Sequence, residues 1–294
     1  MISTEAAQPN LLAPAGAHPG PPARRWDPRL YQIATLAGLL GYGLWWLDLD
    51  VTPTNAVAIV VTALTAQLVC AVLARRDRLD PRSALISGLS LCLLLRTDSL
   101  GLAMLAAVIA IASKFTLRVR GKHVFNPTNF ALVVLMLVAH GMWVSPGQWG
   151  SGIVFAFLLT CAGGLVVNRA ARADVTLAFL ACYAGLLFGR SLWLGEPLAI
   201  PVHRLENGAI VLFSFFMISD PRTTPDSRPG RVLFAALVAL GAYAVQFWLF
   251  RTNGLLWSLA ACSLVVPLID RLLPGPRYQW HAAAASRPQE RSLA

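Results

Sequence analysis

The feature that most constrains this chain is the recurrence of apolar runs about as long as a bilayer is thick. A helix crosses the hydrocarbon core with roughly 20 apolar residues. Runs of that order, separated by polar breaks, recur at 30–48, 51–74, 84–95, 99–113, 127–144, 151–167, 175–193, 207–219, 232–250 and 254–273. The third, fourth and eighth are short for a full crossing. A soluble core cannot absorb this much apolar surface: 56% of the residues are hydrophobic and 13% charged, against roughly 25% charged in ordinary soluble domains. Mean hydropathy is +0.61. The pattern predicts an all-α membrane protein of about ten transmembrane helices.

Charge orients these segments, because cytoplasmic loops next to membrane helices carry an excess of Lys and Arg. With a cytoplasmic amino end, the inner side receives 20 of the 24 basic residues, and only Arg96, Arg190, Arg204 and Arg251 fall on or near the outer side. Shifting the count by one segment would invert every later loop and destroy the bias. The net charge of +10 therefore reads as helix orientation and not as a nucleic-acid surface. Residues 1–29, rich in Pro and Ala and without the apolar core of a secretory signal, and residues 274–294 read as disordered cytoplasmic tails. Between them lies a transmembrane domain at 30–273. Ten segments divide into halves at about 30–144 and 151–273, and an odd number per half places two related halves in opposite orientation.

Five cysteines, Cys70, Cys92, Cys161, Cys182 and Cys262, lie inside apolar runs with no C-x-x-C pair, so they read as packing residues, and no metal site is expected. His140 is the single histidine well inside a segment, which disfavours a bis-His haem. Trp45, Trp46, Trp143, Trp149, Trp193, Trp248 and Trp257 fall near expected outer ends, the usual position of an aromatic belt.

Two polar constellations stand on the expected inner face. The first runs from Ser113 and Lys114 through Arg118, Arg120, Lys122, His123, Phe125, Asn126, Pro127 and Asn129. Asn126 followed by Pro127 is a helix-start signal that aims a positive helix end into a cationic loop, an arrangement able to hold an anion. The bland reading is an ordinary basic loop and an ordinary cap. The second constellation, Phe215, Phe216, Met217, Ile218, Ser219, Asp220, Pro221, Arg222, Thr223 and Thr224, sets an aromatic wall beside an acid, a cation and hydroxyls. Its bland reading is a helix end stopped by Pro221. A third string, Arg96, Thr97 and Asp98, puts charge at membrane depth, where each ion costs about 2.5–3.5 kcal/mol on insertion scales unless paired or hydrated. These three read as a pair or as the lining of a polar pathway.

The strings SKFTLRVRGKHVFNPTNFA at 113–131 and FFMISDPRTTP at 215–225, with ten segments, resemble the family of NqrB and RnfD. These are membrane subunits of the sodium-pumping NADH:quinone oxidoreductase and of the Rnf electron transport complex. Within the family the chain looks closest to the stand-alone UnbU-like branch found beside enediyne biosynthesis genes. The resemblance covers most of 30–273. It implies a urea-transporter-like fold of two inverted five-helix repeats, a bacterial cytoplasmic (inner) membrane location, and electron transfer through buried flavin with partner redox proteins, including a flavinylated extracytoplasmic protein. It implies at most a subunit of a membrane oxidoreductase, with no catalysis by the chain alone.

The chain lacks the S-G-A-T type motif that carries covalent FMN in that family; Ser87-Gly88-Leu89-Ser90 is the nearest string. The expected cofactor is therefore a non-covalent riboflavin or FMN. Such a ring needs an apolar slot, hydrogen bonds at its pyrimidine edge and nearby positive charge. The assigned residues are Lys114, Arg118, Lys122, His123, Asn126 and Asn129 for the polar end, with Phe125, Phe215, Asp220, Arg222, Thr223 and Thr224 framing the ring. Two other functions fit the same segments: a channel or transporter for a small solute, with Arg96 and Asp98 on its path, and a redox-inactive assembly protein.

Overall fold

In the computed structural model the described residues are 27–46, 50–75, 80–144, 164 and 172–278. All of the sixth expected segment except residue 164, most of both expected tails, Cys161, Arg169 and Trp149 lie outside them. Helix α1 spans Pro28–Trp46, α2 Pro53–Leu73 and α3 Pro81–Leu94, followed by strand β1, Leu95–Thr97. Then come α4, Leu100–Thr116, a hairpin of β2, Arg118–Val119, with β3, Lys122–His123, helix α5, Pro127–Val138, and strand β4, Met142–Val144. The second part holds α6, Ala173–Leu194, α7, Ala199–Leu205, and α8, Gly208–Leu212, which runs on as a π-helical turn at Phe213–Met217. It ends with α9, Arg228–Phe247, α10, Gly254–Ser263, and α11, Val266–Leu272.

Helix starts follow local chemistry. Thr52, Ser99, Asn126, Asn207 and Ser227 each accept a hydrogen bond from a backbone N–H of the first turn, and Pro stands at the first or second helical position of α2, α3, α5 and α9. Pro has no N–H to waste there and its φ already suits a helix. Helices α2, α6 and α9 are long and apolar enough to cross a bilayer, and α10 and α11, bent by 50° at the break between them, reach that length and apolarity together. The break falls at Leu264 and Val265, just before Pro267, whose ring cannot continue the preceding turn. Large apolar side chains of α2 point away from the protein, with Val72 65% and Leu73 77% exposed. A surface of that kind belongs in lipid.

Two expectations need correction. The chain is not purely α: β1 and β4 pair antiparallel, Arg96 opposite Trp143. The fifth segment is correspondingly shorter than the expected 127–144, because α5 stops at Val138 and Gly141, at φ +80, turns the chain into β4. Helices α3 and α5 are thus half-length elements joined at their far ends by a strand pair. The eighth segment is a short α-to-π run with α7 as an extra turn before it.

Packing relies on small residues. Ala103, Ala106, Ala107 and Ala110 form one fully buried face of α4, and helix backbones approach closely along such stripes. Helix α4 packs on α2 and α5, while α9 packs on α6 and α10, and α5 meets α10 between the two groups. Residues 274–278, assigned from sequence to the C-terminal tail, lie against the bundle. The Arg172 guanidinium sits 4.9 Å from the Tyr278 ring centre, and a Cβ at Gly275 would come within 2.7 Å of the Ser227 backbone.

Candidate functional site

A cavity of about 240 Å³ opens where the N-terminal ends of α1, α3 and α5 meet the C-terminal ends of α2 and α4. The π turn closes it from the second part of the chain. Its i→i+5 bond, from the Ile218 N–H to the Phe213 carbonyl at 3.0 Å, widens the backbone and sets Phe215, Phe216 and Met217 in the wall. Such turns recur at functional sites. Phe115 and Ile86 complete the apolar lining; Lys114, Arg118, His123, Asn126, Ser219, Asp220 and Arg222 supply its polar groups.

Asn126 ties the two parts together. Its Oδ1 accepts from the Asn129 N–H at 3.1 Å and its Nδ2 donates to the Met217 carbonyl at 3.3 Å. Lys114, 5% exposed, donates to the Ser83 carbonyl at 2.7 Å and to the Ser83 hydroxyl at 3.0 Å. It forms no ion pair with a carboxylate among the described residues, and an ammonium has three protons to place. When protonated, Lys114 held this way has one further N–H donor for whatever fills the cavity. Arg118 donates through Nε to the Lys114 carbonyl and lies 5.7 Å from the Phe115 ring centre.

Asp220 lines the cavity together with Lys114 and accepts from the Arg222 N–H at 3.0 Å. Desolvation raises its carboxyl above the ordinary carboxylate value, against the opposing pull of that hydrogen bond and of the Arg222, Lys114 and Arg172 charges. The folded state then holds this proton more tightly than the unfolded chain does. Asp220 therefore lowers stability as pH rises from 3.8 through its raised value. Asp220→Asn keeps the oxygen that accepts from Arg222 and should melt higher than the native protein at pH 7, with the gap closing as pH falls toward 4. Thermal unfolding in detergent across that range reads the difference; a gap that stays constant with pH would refute it.

Other sequence-assigned residues take structural posts. Lys122 lies in a second cavity of about 170 Å³, bridging Asp226 at 3.0 Å and Asp270 at 2.7 Å. Thr223 and Thr224 both donate to the Asp220 carbonyl, at 3.3 and 3.1 Å, and so fold the loop. Phe125 packs on Phe130, their ring centres 4.9 Å apart, and Asn129 donates to the Leu256 carbonyl at 3.2 Å. His123 touches both cavities.

Arg96, Thr97 and Asp98 line neither cavity. Arg96, 1% exposed, donates to the carbonyls of Cys92, Leu93 and Leu95 at 2.9–3.2 Å. It thereby caps the last turn of α3, whose carbonyls have no helical partners. Thr97 donates to the Gly141 carbonyl at 3.0 Å, and Asp98 is exposed.

Sequence reasoning missed the wall contributed by α1, α2 and α3: Arg29, Gln32, Gln67, Asp80, Ser83, Ser87 and Ser90. The signal for it was present, since Ser83, Ser87 and Ser90 recur at helical spacing on an otherwise apolar helix. Asp27 pairs with Arg29 and Arg82, and Arg29 with Asp80, so an ion network pins α1 to the start of α3 at the cavity edge.

Three apolar helices of membrane-crossing length among the described residues, with shorter apolar helices packed on them, define a multi-pass membrane protein. Residues 137–278 match the family described as NQR2, RnfD, RnfE. Over 123 residues the chain is 32% identical to the D component of the ion-translocating oxidoreductase complex of Escherichia coli K12, and equally so to that of Escherichia coli O9:H4 strain HS. Over 125 residues it is 34% identical to the same component from Escherichia coli O1:K1 / APEC. Each match covers 41% of this chain and 35% of the relative, so the chain spans about a third of the length of the curated relatives it matches.

Proposed function

We propose that this chain is a member of the NQR2, RnfD, RnfE family and acts as a membrane electron-transport subunit, holding a non-covalent flavin in the 240 Å³ cavity. The observation that carries the reading is the convergence of both polar constellations, about 90 residues apart at the Asn126–Met217 bond, on one aromatic-walled cavity. Its buried lysine bonds to Ser83 and makes no contact ion pair with a carboxylate among the described residues. The volume lies just below the roughly 300–1,000 Å³ of small-molecule sites, which suits a three-ring head with its side arm leaving past the exposed Arg222.

A bound flavin supplies one- and two-electron redox chemistry there. The chain's own residues provide the rest. Lys114 and Arg118 hold positive charge where a reduced ring gains negative charge, Phe115, Phe215 and Phe216 exclude water, and Asn126 joins the walls. Without an S-G-A-T string, attachment is by these contacts alone. The UnbU-like branch, the inverted-repeat layout, a bacterial inner-membrane setting with both termini cytoplasmic, and redox partners including a flavinylated extracytoplasmic protein belong to the same proposal. The matching packing orders α2–α4–α5 and α6–α9–α10, meeting at α5 and α10, support the repeat.

Protein purified in detergent is expected to show a flavin absorption spectrum that acid releases without proteolysis. Colourless protein that riboflavin and FMN both fail to reconstitute would sink the reading. Solute uptake by such protein in liposomes would then favour a channel, and its absence an assembly role.

A further inference from the structure

Gln67 lines the same cavity from α2, and its Oε1 is buried without a hydrogen-bond partner among the described residues. Buried side-chain acceptors are nearly always matched, and lipid offers nothing that could match this one. Two of the wall donors are engaged elsewhere: Ser87 donates to the Ser83 carbonyl at 3.2 Å, and Lys114 makes two bonds to Ser83. Helices α2 and α4 pack side by side, so Gln67 and Lys114 stand on neighbouring walls. One offers an unfilled acceptor, the other an unfilled donor, and Phe115, Phe215 and Phe216 line the same cavity.

A planar edge with an N–H beside a carbonyl meets both needs at once. We infer that Gln67 and Lys114 read the imide edge of a planar heteroaromatic ligand, Gln67 accepting from its N–H and Lys114 donating to the adjacent carbonyl. This rests on the flavin reading, in which that edge is the pyrimidine edge of the ring and Gln67 becomes its specificity-determining residue. An internal water bonded to Gln67 is the competing account.

A cycle of one substitution and one ligand change separates the two. The probes are riboflavin and N3-methylriboflavin, which lacks the imide proton, titrated by fluorescence quenching against native protein, Gln67→Leu and Gln67→Glu in detergent. Native protein should bind riboflavin about tenfold more tightly than the methylated probe, the scale of one buried hydrogen bond. Gln67→Leu should weaken riboflavin binding by about the same factor and bind both probes equally, while Gln67→Glu, which keeps an acceptor, should keep the preference. Discrimination that persists in Gln67→Leu, or a native protein that binds both probes alike, overturns the imide contact while the flavin reading stands. Colourless native protein that quenches the fluorescence of neither riboflavin nor FMN overturns the flavin reading itself.

Discussion

Asn126→Ala should lose its flavin on purification and unfold with a stability lower by about 2–4 kcal/mol. About 1 kcal/mol comes from the lost cap on α5, and about 1–3 kcal/mol from the lost bond to the buried Met217 carbonyl, which then keeps only the 3.4 Å bond from the Asp220 N–H. Both contacts come from one 7%-exposed side chain, and together they hold the α5 end of the cavity to the π turn. Asn126→Asp separates them: the carboxylate can still accept from the Asn129 N–H but cannot donate to Met217. It should keep most of the stability of α5 yet bind flavin weakly. Flavin-to-protein ratio and thermal midpoint in detergent read the two effects independently. Full flavin content in Asn126→Ala would show that the bond between the two parts does not shape the cavity.

Lys122→Met should destabilise by about 2–4 kcal/mol, somewhat under the 3–5 kcal/mol typical of breaking a buried pair, because the three side chains retain 11–17% exposure. Removing the lysine leaves Asp226 and Asp270 facing each other, with the Asp226 N–H still donating to Asp270 at 2.8 Å. Adding Asp270→Asn should recover part of the loss, since it removes one of the two repelling charges. Flavin content should hardly change, because Lys122 faces the second cavity. That outcome would separate Lys122 from Lys114, eight positions away and of the same type. A Lys122→Met protein of native stability would mean that the bridge contributes nothing.

These two residues also show where sequence reasoning reached and where it stopped. Asn126 was legible because Asn before Pro is a local signal, set by the geometry of the first helical turn. Lys122 carried the same basic-loop signal as Lys114. Nothing within a few residues of either tells that the hairpin Arg118–His123 rotates one lysine toward Asp226 and Asp270 while α4 buries the other against Ser83. Thr223 and Thr224 carried hydroxyls that suggested a ligand, yet both serve the Asp220 carbonyl inside their own loop. Arg96 is costly at membrane depth on sequence grounds, and the structure meets that cost with the carbonyls ending α3.

The sequence by itself determined the apolar lengths, the helix starts and the half-length of the third segment. Each follows from contacts within one turn or from the thickness of a bilayer, so each is written in consecutive residues. Only the tertiary structure decided that α5 ends at a strand pair with β1, that the last segment bends in space, and that one wall of the cavity comes from α1, α2 and α3. Those outcomes depend on which faces of distant helices meet. A side chain such as Gln67 acquires its meaning from what stands opposite it, and that partner is set by packing between α2 and α4 across more than 40 residues of chain.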